Sequence, residues 1–126
     1  DAGMTSYHAV VGMGGVKEGM KVGIVGVGGL GQIGARIAVL QGCEVYDSSR
    51  NPAARQRALE LGCKDVVETP DKLAPFECDV IIDFAGSGVT TAQSLEAVKK
   101  FGRVVVVGIA KLETTLNTMT LIFKTS

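Results

Sequence analysis

The sequence is poor in the residues that build disulfide-linked or metal-bound structures. Its 126 residues include no tryptophan, one histidine and three cysteines. Cys43, Cys63 and Cys78 are odd in number, widely spaced and each beside an apolar stretch. This pattern is typical of buried free thiols, and it argues against a disulfide framework or a closed zinc site.

Neither sign of charge dominates. The chain has 13 basic and 13 acidic residues, a formal net charge of zero, and no basic run, so we expect no nucleic-acid partner. No apolar stretch approaches the roughly 20 residues of a membrane span, and the N-terminus lacks the charged and then apolar layout of a signal peptide. We therefore expect no membrane partner and a cytoplasmic location.

Apolar, strand-like runs alternate with helical patterns along the chain. Strands are predicted at residues 21–26, 43–49, 65–69, 78–84 and 103–109. The fourth run is continuous and apolar enough to be covered on both faces, and the fifth is apolar after Arg103. The alternation predicts an α/β fold, a doubly wound parallel sheet (Rossmann type) of five strands in the order 3-2-1-4-5. Residues 1–126 are expected to form one domain, because the chain is too short for two cores.

Local signals place the helix ends. A helix is predicted over residues 3–17, before the first strand, with a glycine stop. Asn51, followed by a proline, is a plausible cap for the helix after the second strand. Residues 70–75 are predicted as a loop, and Thr90 or Thr91 as the cap of the helix after the fourth strand.

The sequence GVGGLG follows the first strand and opens a helix. In a turn that holds a pyrophosphate, the first glycine, Gly26, allows the sharp turn and the second, Gly28, lets the backbone approach the phosphates. The third, Gly31, lets the helix pack closely on the strand. Gly29 and Leu30 complete the turn, where the helix directs its unpaired N–H groups and positive dipole end at the phosphates. This arrangement predicts a dinucleotide site.

The residues at the end of the second strand indicate which dinucleotide binds. Ser49 and Arg50 lie where an enzyme that uses NAD usually places an acidic residue against the ribose. A serine can donate a hydrogen bond and an arginine can hold a 2′-phosphate, with Arg55 as a possible second charge, which favours NADP. If the strand ends two residues earlier, Asp47 becomes the ribose ligand and the site prefers NAD.

Five segments carry a resemblance to a known family. They are GMTSYHAV at 3–10, GVGGLGQIGARIA at 26–38, ALELG at 58–62, DVIID at 79–83 and GRVVVVG at 102–108. Together they resemble the coenzyme domain of a medium-chain, zinc-dependent-type alcohol dehydrogenase, over about residues 1–123.

The resemblance implies a function for the chain as part of a larger enzyme. Such an enzyme transfers hydride between a nicotinamide cofactor and an alcohol or aldehyde, and its catalytic domain supplies most zinc ligands and the substrate pocket. That domain is absent here, so we expect this chain to bind cofactor, contain no catalytic residue and be inactive alone. Asp1 matches a zinc-ligand position of the family, but a solvated end group is the simpler interpretation.

The resemblance also implies further cofactor contacts. Thr5 corresponds to a residue that approaches the nicotinamide, whereas His8 is expected to face away from the chemistry. Small residues at the ends of strands four and five would leave room for the nicotinamide ribose. These are Ala85, Gly86, Ser87, Gly108 and Ile109.

The family's sixth strand would begin just past Lys124, so we expect it to be truncated here. Its loss would expose the edge of strand five and alter self-association, although the full-length protein is expected to be a homo-oligomer. Two alternatives remain open. One is a regulatory, nucleotide-sensing Rossmann module without catalysis, and the other is a methyltransferase-like fold that binds S-adenosylmethionine.

Overall fold

The computed structural model describes residues 7–13, 15–26, 29–85, 88–98, 102–112 and 115–124. The strands are β1 Lys21–Val25, β2 Glu44–Ser48, β3 Asp65–Val67, β4 Val80–Asp83, β5 Arg103–Leu112 and β6 Thr115–Lys124. The helices are α1 Gly29–Leu40, α2 Pro52–Leu61 and α3 Gly88–Ala97. A π-helical segment, His8–Met13, precedes β1, and a 3₁₀ helix, Pro70–Phe76, precedes β4.

The described strands form one sheet in the order β3-β2-β1-β4-β5-β6. Every pair among β1 to β5 is parallel, so the predicted doubly wound sheet in the order 3-2-1-4-5 is confirmed. Parallel strands require crossover connections, and the helices of this chain provide them. The carboxyl ends of β1, β2 and β4 therefore meet at one edge of the sheet.

Alternate residues of the central strands enter two apolar layers. In β4, Val80 and Ile82 pack with alanines of α1 and α2, whereas Ile81 packs with Leu73 of the 3₁₀ helix and Ala97 of α3. The three β4 side chains are completely buried. Burial of each contributes roughly 1.5–3 kcal/mol. The uninterrupted apolar run that the sequence shows here thus reflects a strand covered on both faces.

The structure differs from the sequence-based expectation at its C-terminal edge. Residues 115–124 form an antiparallel strand, β6, which pairs with β5 from Leu112↔Thr115 to Arg103↔Lys124. The expectation that the edge of strand five is exposed is therefore wrong, because β6 covers it. Threonine, isoleucine and phenylalanine in β6 favour extended backbone, and the sixth strand ends at Lys124 instead of beginning after it.

Some of the predicted helix ends are confirmed and others are corrected. Asn51 caps α2 by accepting hydrogen bonds from the N–H groups of Ala53 and Ala54, as predicted. The predicted loop at 70–75 is instead a 3₁₀ helix. The predicted caps Thr90 and Thr91 lie inside α3, which begins at Gly88. Within the predicted helix over 3–17, His8–Met13 form a shorter π-helical segment, and residues 15–17 lie outside any helix.

Candidate functional site

The turn after β1 is built around glycines that leave no room for side chains. Gly26 has a φ of 130°, and a Cβ atom there would lie 3.1 Å from the backbone nitrogen of Ala85. A Cβ atom on Gly31 would lie 3.2 Å from the carbonyl oxygen of Gly26. The backbone of β1, the start of α1 and the segment after β4 therefore approach one another closely, as a turn that holds phosphate groups requires.

A fourth glycine, which the sequence analysis did not single out, holds α1 against the segment after β4. A Cβ atom on Gly34 would lie 2.6 Å from Cε2 of the Phe84 ring. The ring thus occupies the space that a side chain at position 34 would need. The spacing of three residues from Gly31 puts both glycines on one side of α1, and this spacing was the available signal.

Asp47 is the penultimate residue of β2 and is buried within the sheet. Asp47 pairs with Ile24 on one side and with Val66 on the other, and 5% of its surface is exposed. Burial raises the pKa of its carboxyl group to about 7. β2 ends one residue earlier than predicted, and Asp47 is not among the residues that line the cavity described below.

Ser49 follows β2 and is held by its neighbours. Its hydroxyl accepts a hydrogen bond from the Asn51 N–H at 3.2 Å, which leaves the hydroxyl hydrogen to be donated elsewhere. Its carbonyl oxygen accepts a hydrogen bond from Nη1 of Arg55 at 2.7 Å. Arg55 is thus fixed beside the tip of β2 and is not simply solvated.

A cavity of about 140 Å³ lies at the carboxyl ends of these strands. The predicted residues that line it are Gly26, Ser49, Arg50 and Ala85. They come from three different connections, after β1, β2 and β4. This is the edge of a parallel sheet at which doubly wound proteins bind their ligands.

Six lining residues were not predicted as site residues: Val25, Ser48, Glu68, Pro70, Thr90 and Gln93. Glu68 directly follows β3, so the rule that ligands bind at the carboxyl ends of strands could have identified it. Thr90 and Gln93 are three residues apart and share a face of α3. Oε1 of Gln93 is buried and has no hydrogen-bond partner within the described ranges, which makes it a candidate acceptor for a bound donor group.

Other predicted residues cannot be compared with the structure in full. Asp1, Thr5, Gly28, Gly86 and Ser87 lie outside the described residues. The backbones of Gly29 and Leu30 form the start of α1, and His8 starts the π-helical segment. Gly108 and Ile109 lie inside β5, which continues to Leu112, and not at its end as predicted.

The described residues do not fit a zinc ion. No group of three or more histidine, cysteine, aspartate or glutamate side chains among them could hold a metal. The three cysteines are free thiols, and burial raises the pKa of both Cys63 and Cys78 to about 12, which disfavours the thiolate that zinc requires. In the same part of the chain, no helix is long and apolar enough to cross a membrane.

Comparison with known families and proteins agrees with the resemblance seen in the sequence. The model of the zinc-binding dehydrogenase family matches residues 29–126. A probable cinnamyl alcohol dehydrogenase 8A of Oryza sativa subsp. japonica is 36% identical over 112 residues, which are 85% of this chain and 31% of the relative. This chain thus spans about a third of the length of that relative.

Solved structures of two oxidoreductases share the fold. A structure titled CAD from Helicobacter pylori, complexed with NADP(H), is 34% identical with a TM-score of 0.76, and the match covers 85% of this chain and 30% of that one. Acetophenone reductase from Geotrichum candidum, in complex with NAD, is 32% identical with a TM-score of 0.73, and the match covers 81% and 30%. Similar domains therefore bind either cofactor.

Proposed function

Because the chain belongs to the zinc-binding dehydrogenase family and matches its coenzyme-binding domain, we propose that it binds a nicotinamide dinucleotide and prefers NADP to NAD. The glycine turn after β1 would hold the pyrophosphate. The cofactor supplies the hydride, and the residues of this chain bind and orient it.

The size and position of the cavity support a role for it as the site of the adenosine end. Its volume of about 140 Å³ is below the roughly 300–1,000 Å³ of pockets that enclose a whole drug-sized ligand. One part of a dinucleotide fits such a space better than the whole. The cavity extends from the tip of β2 to α3, where Ser49 and Thr90 line it, and the buried Gln93 oxygen could accept a hydrogen bond from the adenine amino group.

The observation that carries the NADP preference is the arrangement at the tip of β2. Asp47, the acidic side chain that could repel a 2′-phosphate, lies within the strand, whereas Ser49 and Arg50 line the cavity. Arg55 lies directly beside them through its hydrogen bond to Ser49. Glu68 also lines the cavity, but Lys72 lies 3.9 Å from it and partly offsets its charge. Two guanidinium groups next to a donating hydroxyl suit a dianionic phosphate.

Calorimetric titration with NADP, NAD and S-adenosylmethionine tests the proposal. We expect the unmodified chain to bind NADP most tightly, and we expect Arg50→Glu to reverse the order of NADP and NAD. Arg36→Glu is the matched control, because Arg36 is exposed on α1 and makes the same charge change away from the cavity. Tighter binding of NAD by the unmodified chain, or the same reversal in Arg36→Glu, would refute the assignment.

The activity of the whole protein is a further part of the proposal. We propose that the chain is the cofactor half of a homo-oligomeric, cytoplasmic oxidoreductase, which transfers hydride between the nicotinamide and an alcohol or aldehyde. Any zinc would be held mainly by residues of another domain, and Asp1 of this chain is one candidate for a further ligand. The 126 residues alone would bind cofactor without turnover, and oxidation of simple alcohols by the purified chain, followed by NADPH absorbance, would contradict this.

A further inference from the structure

Asp83, the last residue of β4, is completely buried and accepts several hydrogen bonds. Its Oδ1 atom accepts from the backbone N–H of Ala85 at 2.9 Å. Its Oδ2 atom accepts from the hydroxyl groups of Thr90 at 2.9 Å and Thr91 at 3.0 Å. A buried carboxyl group is stable in such a place only when donors replace the lost water.

These hydrogen bonds join the two sides of the connection between β4 and α3. Ala85 lies on the strand side, whereas Thr90 and Thr91 lie in the first turn of α3. One carboxyl group therefore fixes the position of the helix relative to the strand end. Ala85 and Thr90 line the cavity, but neither Asp83 nor Thr91 is among its described lining residues.

The segment that Asp83 holds also touches the glycine turn. A Cβ atom on Gly26 would lie 3.1 Å from the nitrogen of Ala85 and 3.3 Å from the carbonyl carbon of Phe84. The backbone after β4 is thus packed directly against the backbone after β1. A shift of Ala85 would disturb both the cavity wall and the turn beside it, since neither has space to adjust.

We propose that Asp83 is a positioning residue for the cofactor. By holding Ala85 and Thr90, it fixes the wall of the cavity opposite Ser49 and Arg50, so that cofactor affinity depends on a side chain that does not touch the cofactor. This inference rests on the proposed function, because the cavity must be a cofactor site for the positioning to matter.

Thr91 offers the cleanest test, because it contacts Asp83 but does not line the cavity. Thr91→Val removes the hydroxyl at nearly constant shape, and Thr91→Ser restores a hydroxyl donor. Ser94→Ala is the control: Ser94 is also on α3 and is buried, and its hydroxyl donates to the Thr90 carbonyl at 2.7 Å without a contact to Asp83. The dissociation constants of NADP and of adenosine 2′,5′-bisphosphate are measured by calorimetry, well below each variant's unfolding midpoint.

We expect Thr91→Val to weaken binding of both ligands by about fivefold, which is the order of the effect of losing one hydrogen bond. Thr91→Ser should restore most of the affinity, and Ser94→Ala should stay within about twofold of the unmodified chain even where it lowers the unfolding midpoint. Asp83→Asn keeps an acceptor for the Ala85 N–H but disturbs the contacts with the two threonines. It should weaken binding at least as much as Thr91→Val, and it replaces Thr91→Val in the test if Thr91→Val does not fold.

Three results would overturn the inference. Unchanged affinity in Thr91→Val, or in Asp83→Asn where only that variant folds, would show that the hydrogen bonds do not position the cavity wall. Equal weakening in Ser94→Ala would show a general loosening of α3. If the unmodified chain binds neither NADP nor NAD, the proposed function fails and this inference fails with it.

Discussion

Asp47 in β2 and Asp83 in β4 are alike in chemistry and nearly equal in burial, with 5% and 0% of their surfaces exposed. Their surroundings differ. Asp83 receives hydrogen bonds from one backbone N–H and two hydroxyl groups, whereas the pKa of Asp47 is raised to about 7 by burial. Hydrogen-bond donors stabilise the buried carboxyl group of Asp83, whereas burial favours the neutral form of the Asp47 carboxyl group.

Two buried aspartates near the same cavity thus have different roles. Asp83 connects the strand end to the residues that line the cavity, and its hydrogen bonds offset the free-energy cost of burying the carboxyl group. Asp47 is the penultimate residue of β2 and does not line the cavity, so under the proposed NADP preference its carboxyl group would not face the 2′-phosphate. Burial alone therefore does not indicate the role of an acidic residue, whereas its hydrogen-bond donors do.

The largest effect is expected from Asp47→Asn. The carboxyl pKa is 3.8 in the reference state and about 7 in the folded chain, so the folded state binds the proton more tightly. The contribution of Asp47 to stability is therefore greatest at acid pH and falls as the pH rises towards 7, by on the order of 4 kcal/mol. Asp47→Asn should lose this decline and exceed the unmodified chain in stability at about pH 8. Urea unfolding across this pH range measures the free energy of unfolding of both proteins, and an unchanged decline in Asp47→Asn would contradict the assignment to Asp47.

Asp83→Asn is the same chemical change at the partnered position, and we expect the opposite sign. The substitution weakens the hydrogen bonds from Thr90 and Thr91, so the free energy of unfolding should fall by about 2–3 kcal/mol. The decline of stability with pH should remain, because Asp47 is intact. If Asp83→Asn were more stable than the unmodified chain, the distinction between the two aspartates would be wrong.

Gly26→Ala extends the comparison to the backbone that Asp83 holds in place. The φ of 130° and the nearby Ala85 nitrogen both oppose a side chain, and the free energy of unfolding should fall by about 2 kcal/mol. Gly19→Ala is the control, since Gly19 has a φ of 85° but no atom within 4 Å of its Cβ position. Gly19→Ala should therefore cost less, about 1 kcal/mol, and an equal loss would show that the contact with Ala85 is unimportant.

Asn51→Ala should have the smallest effect. It removes the exposed cap of α2 and lowers the free energy of unfolding by about 1 kcal/mol. Asn51→Ser keeps a capping oxygen and should lose less. Because the contact from the Asn51 N–H to Ser49 uses the backbone, the order of NADP and NAD affinities should not change; a reversal of that order would contradict the separation of capping from recognition.

The sheet order, the glycine turn and the Asn51 cap could be predicted because each depends on short-range signals. Apolar periodicity identifies the strands, and chain connectivity then restricts their order. A capping asparagine contacts N–H groups two and three residues away, and Gly26 acts through its own backbone. For these features, local sequence and final structure are closely related.

The contacts of Asp83 and the pairing of β6 could not be predicted in the same way. Thr90 and Thr91 were interpreted as helix caps, because a hydroxyl that caps a helix and one that binds a carboxyl group look alike in sequence. The partner, Asp83, is seven and eight residues away across a turn. Residues 115–124 gave no clear strand pattern, and their strand forms through pairing with β5, which is a tertiary effect.

The most direct test of the central claim, that the tip of β2 selects a 2′-phosphorylated cofactor, is calorimetric titration of the unmodified chain with NADP and NAD in one buffer. We expect the dissociation constant of NADP to be lower by about tenfold or more, which corresponds to about 1.4 kcal/mol. Equal affinities, or tighter binding of NAD, would contradict the claim.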